Sequence, residues 1–295
     1  NGAWRHPDPG HQCVFLGDYI DRGPNNAKVL DIVKRMVEAG TAHAIMGNHE
    51  LNAIQYHSED PETGEPYREH SLKNESQHRT FLNEYSPGAL ETREVINWMA
   101  SLPLFLEMDA FRAVHASWDD RRIAEIRRWK PDAILGKDMV LAAADKNQPC
   151  HSMVETTAKG PEYPLPKGKH FHDKDGEPRD CIRVKWWARN ADTWQDVAMS
   201  VPNPKVLPIG EPPKGIVAHT YAPEALPVFF GHYWLTGTPS LQAQNALCLD
   251  YSAGKDGPLV AYRFEGPGAP INLGNLVGGV IEDQRLARPA PRKWF

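Results

Sequence analysis

Long apolar runs are missing from this sequence. None approaches the roughly 20 residues that a membrane-crossing helix needs, so no membrane partner is expected. Cysteine is scarce: Cys13, Cys150, Cys181 and Cys248 are the four in 295 residues, widely spaced and without a CxxC pair. That excludes a disulfide framework or a zinc knuckle. Cys13 and Cys248 lie in apolar runs and read as small core residues. A surplus of positive charge is also absent. The formal net charge is −5, which leaves no field for gripping nucleic acid or an anionic membrane surface. No signal peptide opens the chain, and a cytoplasmic location is the expectation. There is no initiator Met either. The polar opening "NGAWRHPDPGHQ" reads as an internal loop, with a preceding segment expected.

What is present is ordinary in bulk. Hydrophobic residues make up 41% and charged residues 24%, the proportions of a globular protein. A chain of 295 residues can bury a substantial core, and a single domain over 1–295 is expected, with no internal repeat. "CVFLG" (13–17) reads as a buried strand and "AHAIMG" (42–47) as a second. Between them "NNAKVLDIVKRMVEAG" (25–40) reads as a helix. Asn25 or Asn26 would cap it, Val29, Leu30, Val33, Met36 and Val37 form its apolar stripe, and Gly40 closes it. Strand, helix, strand with short joints is a βαβ unit, so the two strands should be parallel.

The region 58–85 reads as polar loop and exposed helix, and a helix is expected near 89–100. "LFLEMDAFRAVHA" (104–116) reads as a hairpin turning near Asp109, and 119–129 as a charged helix. Residues 145–215, rich in Pro, Lys and Gly, read as an insertion over the sheet, with a hairpin turning at Asp175-Gly176. "DKDG" there is a turn rather than a calcium loop, since no Glu follows at the right distance. Late strands are expected at 215–219, 226–231, 246–251 and 259–264, and a flexible tail from about 283.

Four apolar strands run into polar residues of metal-ligand type: Asp18 in "FLGDYIDRG", Asn48 in "GNHE", His115 in "VHA" and His232 in "FFGHYW". Any one has an ordinary explanation as a turn or capping residue. Together at one sheet edge they read as a site, because open α/β sheets place their sites beyond the carboxyl ends of parallel strands. One carboxylate, one amide oxygen and two imidazoles suit a borderline divalent ion such as Mn, Fe or Zn better than Ca or Mg. His219 is a weaker rival to His232, and His170 and His172 read as exposed.

"GDYIDRG", "GNHE", "VHA" and "GHYW", in that order over residues 15–234, resemble the calcineurin-like metallophosphoesterases, most closely the phosphoprotein phosphatase branch. The resemblance implies a two-sheet α/β sandwich holding two metals, bridged by an Asp and a hydroxide that attacks the phosphorus in line. Asp18 matches the bridging Asp, and Asn48, His115 and His232 match the other ligands of the second metal. His49 matches the family's general acid. Asp21 can hold and charge that imidazole. Arg22 offers phosphate oxygens a fork of donors that Lys could not copy. Arg183 or Arg189, near Trp186 and Trp187, offers a second phosphate contact from the insertion, or else stacks on exposed Trp.

The sequence departs from the family in two places. Trp234 stands where other branches end GHxH with a second His, as in the phosphoprotein phosphatase branch. The opening Asp-x-His-Gly motif is absent, so a first strand and two ligands of the first metal are missing; Asp8, His6 and His11 lie in a loop. The leading function is a metal-dependent phosphatase acting on phosphomonoesters, in small molecules or as phosphoserine and phosphothreonine in proteins. The alternatives are a nucleotide or dinucleotide polyphosphate hydrolase, and an inactive fragment that binds one metal. With one complete metal site, the 295-residue chain should bind at most one divalent ion tightly and show little or no phosphatase activity. Metal analysis beside a phosphatase assay checks this. Two ions per chain with robust turnover would mean that other residues replace the missing motif.

Overall fold

The computed structural model describes residues 3–173, 176–189, 191–217 and 220–278. Its chain begins with the βαβ unit that the apolar runs predict. β1 (Cys13–Phe15) lies parallel to β2 (Ala42–Ala44), with Cys13 opposite Ala42 and Phe15 opposite Ala44. α1 (Asn26–Glu38) crosses between them and buries Leu30, Val33 and Met36. Val29, placed in the stripe by the sequence, is instead exposed, and Val37 is half-buried. Gly40 follows at φ +67, a left-handed turn that glycine adopts without strain.

The cap of α1 is not the one expected. Neither Asn25 nor Asn26 caps the helix in the usual way, for Asn25 makes no side-chain cap bond. Glu84, at the end of α3 (Leu72–Glu84), supplies the acceptor. Its carboxylate takes the Asn26 amide N–H at 2.7 Å, the Asn26 Nδ2 at 2.7 Å and the Ala27 N–H at 2.9 Å. A carboxylate at a helix N-terminus satisfies orphan donors and meets the positive end of the dipole. Asn26 is left free to take the Asp21 N–H on its own Oδ1, at 2.6 Å.

α2 (Asn48–Tyr56) begins directly beyond the second strand. After α3 come α4 (Leu90–Ala100) and the expected hairpin, in which β3 (Phe105–Glu107) runs antiparallel to β4 (Arg112–Val114). The charged helix is α5 (Asp120–Trp129), followed by α6 (Gly136–Ala142) and α7 (Pro149–Lys159). The expected insertion carries β5 (Glu162–Pro164), β6 (Phe171–His172), β7 (Pro178–Arg179), β8 (Cys181–Val184), α8 (Trp194–Val197), β9 (Ala198–Met199) and α9 (Lys214–Val217). β6 and β7 pair as a hairpin; Asp175 of its predicted turn lies outside the described residues.

The predicted strand at 215–219 is a correction. Residues 214–217 form a helical turn, and Ile216 packs into the insertion's own apolar cluster with Leu165, Ile182 and Trp194. His219 lies outside the described residues, as does the tail from about 283. Beyond the insertion, β10 (Val228–Phe230) and β11 (Ala246–Cys248) complete a four-stranded sheet of order β11-β10-β4-β3, and β12 (Ala261–Tyr262) pairs with β13 (Leu276–Val277). β10 is parallel to both β4 and β11. His115 and His232 therefore leave the sheet at the same edge.

This is the mixed α/β architecture that the strand and helix pattern predicts. The main core includes Leu51, Phe81, Trp118 and Phe230, and Trp186 and Trp187 join it, so these tryptophans are buried rather than exposed platforms. Cys248 is a core residue as expected, Cys13 is half-buried, and all four cysteines are free. Among the described residues no helix is long and apolar enough to cross a membrane.

Replacing Glu84 with Ala should cost about 1 kcal/mol of stability, the usual loss for a helix cap. Urea unfolding measures it. Glu84→Gln should lose less, because one acceptor oxygen survives. Unchanged stability in Glu84→Ala would show that α1 needs no cap from α3.

Candidate active site

Three of the four expected ligand positions are bracketed by glycines or tight turns. Asp18, Asp21, Arg22, His232 and Trp234 all sit at positive φ, between 53 and 73°. Such backbone costs of order 1–3 kcal/mol per residue and persists only where the surroundings over-determine it. Gly17 and Gly47 explain how two loops meet here. A Cβ on Gly17 would stand 2.6 Å from the Gly47 Cα and 2.8 Å from the His115 Nδ1. One on Gly47 would stand 2.5 Å from the Asp18 amide nitrogen and press on its carboxylate.

The fold brings Asp18, Asn48, His115 and His232 together. The Asn48 Oδ1 lies 3.1 Å from the His115 Nε2 and 2.7 Å from the His232 Nδ1. The Asp18 Oδ1 is 3.2 Å from the same His115 nitrogen. Candidate ligand atoms of Asp18, His115 and His232 all lie within 4.8 Å of one another. His115 donates its Nδ1–H to the Leu16 carbonyl at 2.6 Å. That fixes the ring and turns Nε2 toward the two oxygens, the arrangement a carbonyl behind the ring gives metal-binding histidines.

The electrostatics describe a place that favours positive charge. Burial alone would lower the His115 pKa, but the Asp18 carboxylate beside it raises it to about 9. Burial would raise Asp18, yet His115 and then His49 hold its carboxyl well below the usual range. Burial, then His115, keep His232 neutral, and its Nε2 is buried with no hydrogen-bond partner. Two oxygens and two imidazoles converging out of water, with one nitrogen orphaned, fit a borderline divalent cation. Among the described residues this is the one such group of His, Cys, Asp and Glu. His6 and His11 stack on each other, ring centroids 4.3 Å apart, and lie near the C-terminus of α1, at the other end of β1.

His49 and Asp21 also meet. The His49 Nδ1 is 2.5 Å from the Asp21 Oδ2. Burial lowers His49, but Asp18 and the Asp21 hydrogen bond outweigh it and raise its pKa, so the ring keeps a proton. Asp21 spends its second oxygen on His78, at 2.8 Å, and does not pair with Arg22. Arg22 is exposed, makes no ion pair among the described residues, and places its guanidinium 5.1 Å from the centre of the Trp234 ring. Trp234, found where other branches have a metal ligand, thus presents a cation–π face to Arg22.

The insertion arginines separate. Arg189 donates to the Tyr221 carbonyl from Nε at 3.1 Å and Nη2 at 2.6 Å, and is a structural clamp. Arg183 sits on β8, where Ile182 and Val184 are buried, and makes no hydrogen bond or ion pair from its side chain among the described residues. After burial and His115, its charge also helps to lower the His232 pKa.

Sequence reasoning passed over Glu50 and His78. Glu50 is fully buried, and its carboxylate accepts from the Asp18 N–H at 2.8 Å, the Tyr19 N–H at 2.8 Å and the Gly47 N–H at 2.9 Å. The signal was there: Gly47-x-x-Glu50 is the spacing of a capping box. Nothing local in the sequence ties His78 to Asp21, 57 residues away.

A model of the family described as calcineurin-like phosphoesterase matches residues 8–233. The asymmetrical bis(5'-nucleosyl)-tetraphosphatase PrpE of Halalkalibacterium halodurans is 44% identical over 48 residues, 16% of this chain and 19% of that protein. The symmetrical bis(5'-nucleosyl)-tetraphosphatase of a Janthinobacterium species is 25% identical over 136 residues, 45% of this chain and 44% of that protein. The chain thus spans less than half the length of either relative. A solved structure provisionally described as a diadenosine tetraphosphatase aligns with TM-score 0.44 at 16% identity, over 91% of this chain and 80% of that one.

Glu50→Ala should unfold the site rather than one contact. Each buried donor left unpaired costs about 1–3 kcal/mol, so a loss of about 3 kcal/mol or more in urea unfolding is expected. Loss of Mn or Zn binding in a metal titration should accompany it. Wild-type metal affinity in a folded Glu50→Ala would mean that the two loops hold their geometry without this carboxylate.

Proposed function

From the fact that this chain belongs to the calcineurin-like phosphoesterase family, we propose that it is a metal-dependent hydrolase of phosphoric esters. The observation that carries this is the convergence of two units at one sheet edge. Asp18, Asn48, His115 and His232 form a donor set, and the Asp21–His49 pair stands beside it. A bound divalent ion supplies charge stabilisation at phosphate oxygens and makes water a stronger nucleophile near neutral pH.

Residues of the chain do the rest. Asp21 accepts the His49 Nδ1–H and leaves Nε2 to give a proton to the departing oxygen. Arg22, exposed and without an acidic partner, offers its parallel N–H donors to non-bridging phosphate oxygens. Arg183 is a second cation for the same group, reaching the site from the insertion. Among the described residues its side chain has no carboxylate partner, which supports that use.

A second reading concerns the substrate. Both relatives carry bis(5'-nucleosyl)-tetraphosphatase in their names, which favours a dinucleoside polyphosphate over a phosphomonoester or a phosphoprotein. A panel of diadenosine tetraphosphate, p-nitrophenyl phosphate and phosphoserine or phosphothreonine peptides separates these, run at stoichiometric enzyme with added Mn so that slow turnover is visible. The expected preference is for diadenosine tetraphosphate. Hydrolysis of the peptides alone would reverse the substrate reading, and a chain that neither binds a divalent ion nor hydrolyses any of these esters would sink the function.

Within the same panel, His49→Asn should lower turnover on the order of 10²- to 10⁴-fold, least for good leaving groups, while metal content stays nearly unchanged. Equal losses on p-nitrophenyl phosphate and an alkyl phosphate would remove the acid role. Arg22→Ala should mainly weaken inhibition by inorganic phosphate.

A further inference from the structure

We infer that His78 is a positioning residue for His49: it fixes the Asp21 carboxylate and, through it, the His49 ring. The effect on turnover rests on the hydrolase reading above; the positioning itself does not.

A carboxylate held at one oxygen can rotate about its Cβ–Cγ bond and offer either oxygen, or a lone pair at a poor angle, to its partner. Asp21 is held at both. His78 Nδ1 lies 2.8 Å from Oδ1 while His49 Nδ1 lies 2.5 Å from Oδ2. The backbone is pinned as well, since the Asp21 N–H donates to the Asn26 Oδ1 at 2.6 Å, with Asp21 at φ 69. An ionised carboxylate only accepts, so both histidines must carry a proton on Nδ1. His49 is then left with Nε2 toward the ligand cluster, 4.0 Å from the Asp18 Oδ2.

His78 is itself immobilised. It is buried, and it stacks on Phe81 with ring centroids 4.7 Å apart and planes 17° from parallel. Its Nε2 lies 3.0 Å from the Nε2 of His57. Burial and then the neighbouring His78 push His57 down to about 4. A neutral His57 can donate to a bare His78 Nε2 or accept from a protonated one, and in both cases the His78 Nδ1–H stays on Asp21. The chain His57–His78–Asp21–His49 thus determines which nitrogen of the acid faces the substrate. That is a tautomer and orientation role, in a residue that reaches the ligand cluster only through Asp21 and His49.

The test uses the 295-residue chain labelled with ¹⁵N-histidine, metal removed with chelator. Long-range ¹H–¹⁵N spectra should place a proton on Nδ1 of both His49 and His78, the His49 proton protected from exchange. In His78→Leu that protection should be lost or the His49 tautomers should mix. In His78→Asn, whose amide can still donate to Asp21 Oδ1, protection should persist. A wild-type His78 bare at Nδ1, or a His78→Leu spectrum in which His49 is unchanged, overturns the proposal. If His78→Leu does not fold, the wild-type tautomer and His78→Asn decide.

The kinetic arm uses whichever ester the panel selects. His78→Leu should slow turnover about tenfold, a fraction of what a general acid contributes. KM should hold, the loss should be larger for poor leaving groups, and His78→Asn should recover most of the rate. A loss equal across leaving groups, or a rise in KM alone, overturns the role. If no ester is turned over, the spectra alone decide the positioning, and divalent-ion binding decides the hydrolase reading.

Discussion

Glu50 sits in the interior with no arginine, lysine or histidine bonded to it among the described residues, and a buried carboxylate in that position is costly. Three backbone N–H groups from two different loops compensate: Asp18 and Tyr19 beyond β1, and Gly47 beyond β2. Burial first and the Asp18 charge second raise its pKa to about 7, so it holds these donors at the edge of its ionised range. The bonds have a geometric result. They set the exit loop of one strand against the exit loop of the next, at a separation so small that neither Gly17 nor Gly47 has room for a side chain. Every other distance in the site is measured from that junction.

The first turn of α2 then distributes three roles from three consecutive residues. Successive side chains on a helix point about 100° apart, so Asn48, His49 and Glu50 set out in three different directions. Asn48 faces His115 and His232. His49 faces Asp21. Glu50 faces back into the loop that carries Asp18. The four letters "GNHE" are thus a junction glycine, an amide set between two imidazoles, an imidazole paired with Asp21 and an internal tether. The last of these keeps the other three in register with "GDYIDRG".

How much of this is legible in sequence depends on the range of the interaction. The β1–α1–β2 unit is legible because apolar runs ending in Gly are local, and so is the order of the four polar residues at the strand ends. The helix cap is not, because Glu84 reaches Asn26 across 58 residues and displaces the local candidates. The run 215–219 misleads because a few apolar residues fit a strand or a buried helical turn equally well, and the insertion's own core takes Ile216. The stretch 58–85 reads as polar filler, yet its helix buries His78 and Phe81 and closes the back of the acid pair. Composition describes the surface of that helix. Only the tertiary fold shows what its inner face does.

Left-handed residues at a site create a second demand that explains the remaining acidic groups. A loop with Asp18, Asp21, His232 and Trp234 at positive φ cannot bond in a regular ladder, so its N–H groups need other acceptors. Glu50 answers for Asp18 and Tyr19, Asn26 for Asp21, and Asp250 for Trp234 at 2.8 Å and Ser252 at 2.9 Å. The carboxylates around the site therefore fall into two sets with different physics. Asp18 and Asp21 turn outward to imidazoles that need charge or orientation, while Glu50 and Asp250 turn inward to strained backbone. Counting acidic residues near the motifs would overstate the number of ligands, because half of them are committed to holding the loops in the conformation that lets the other half converge.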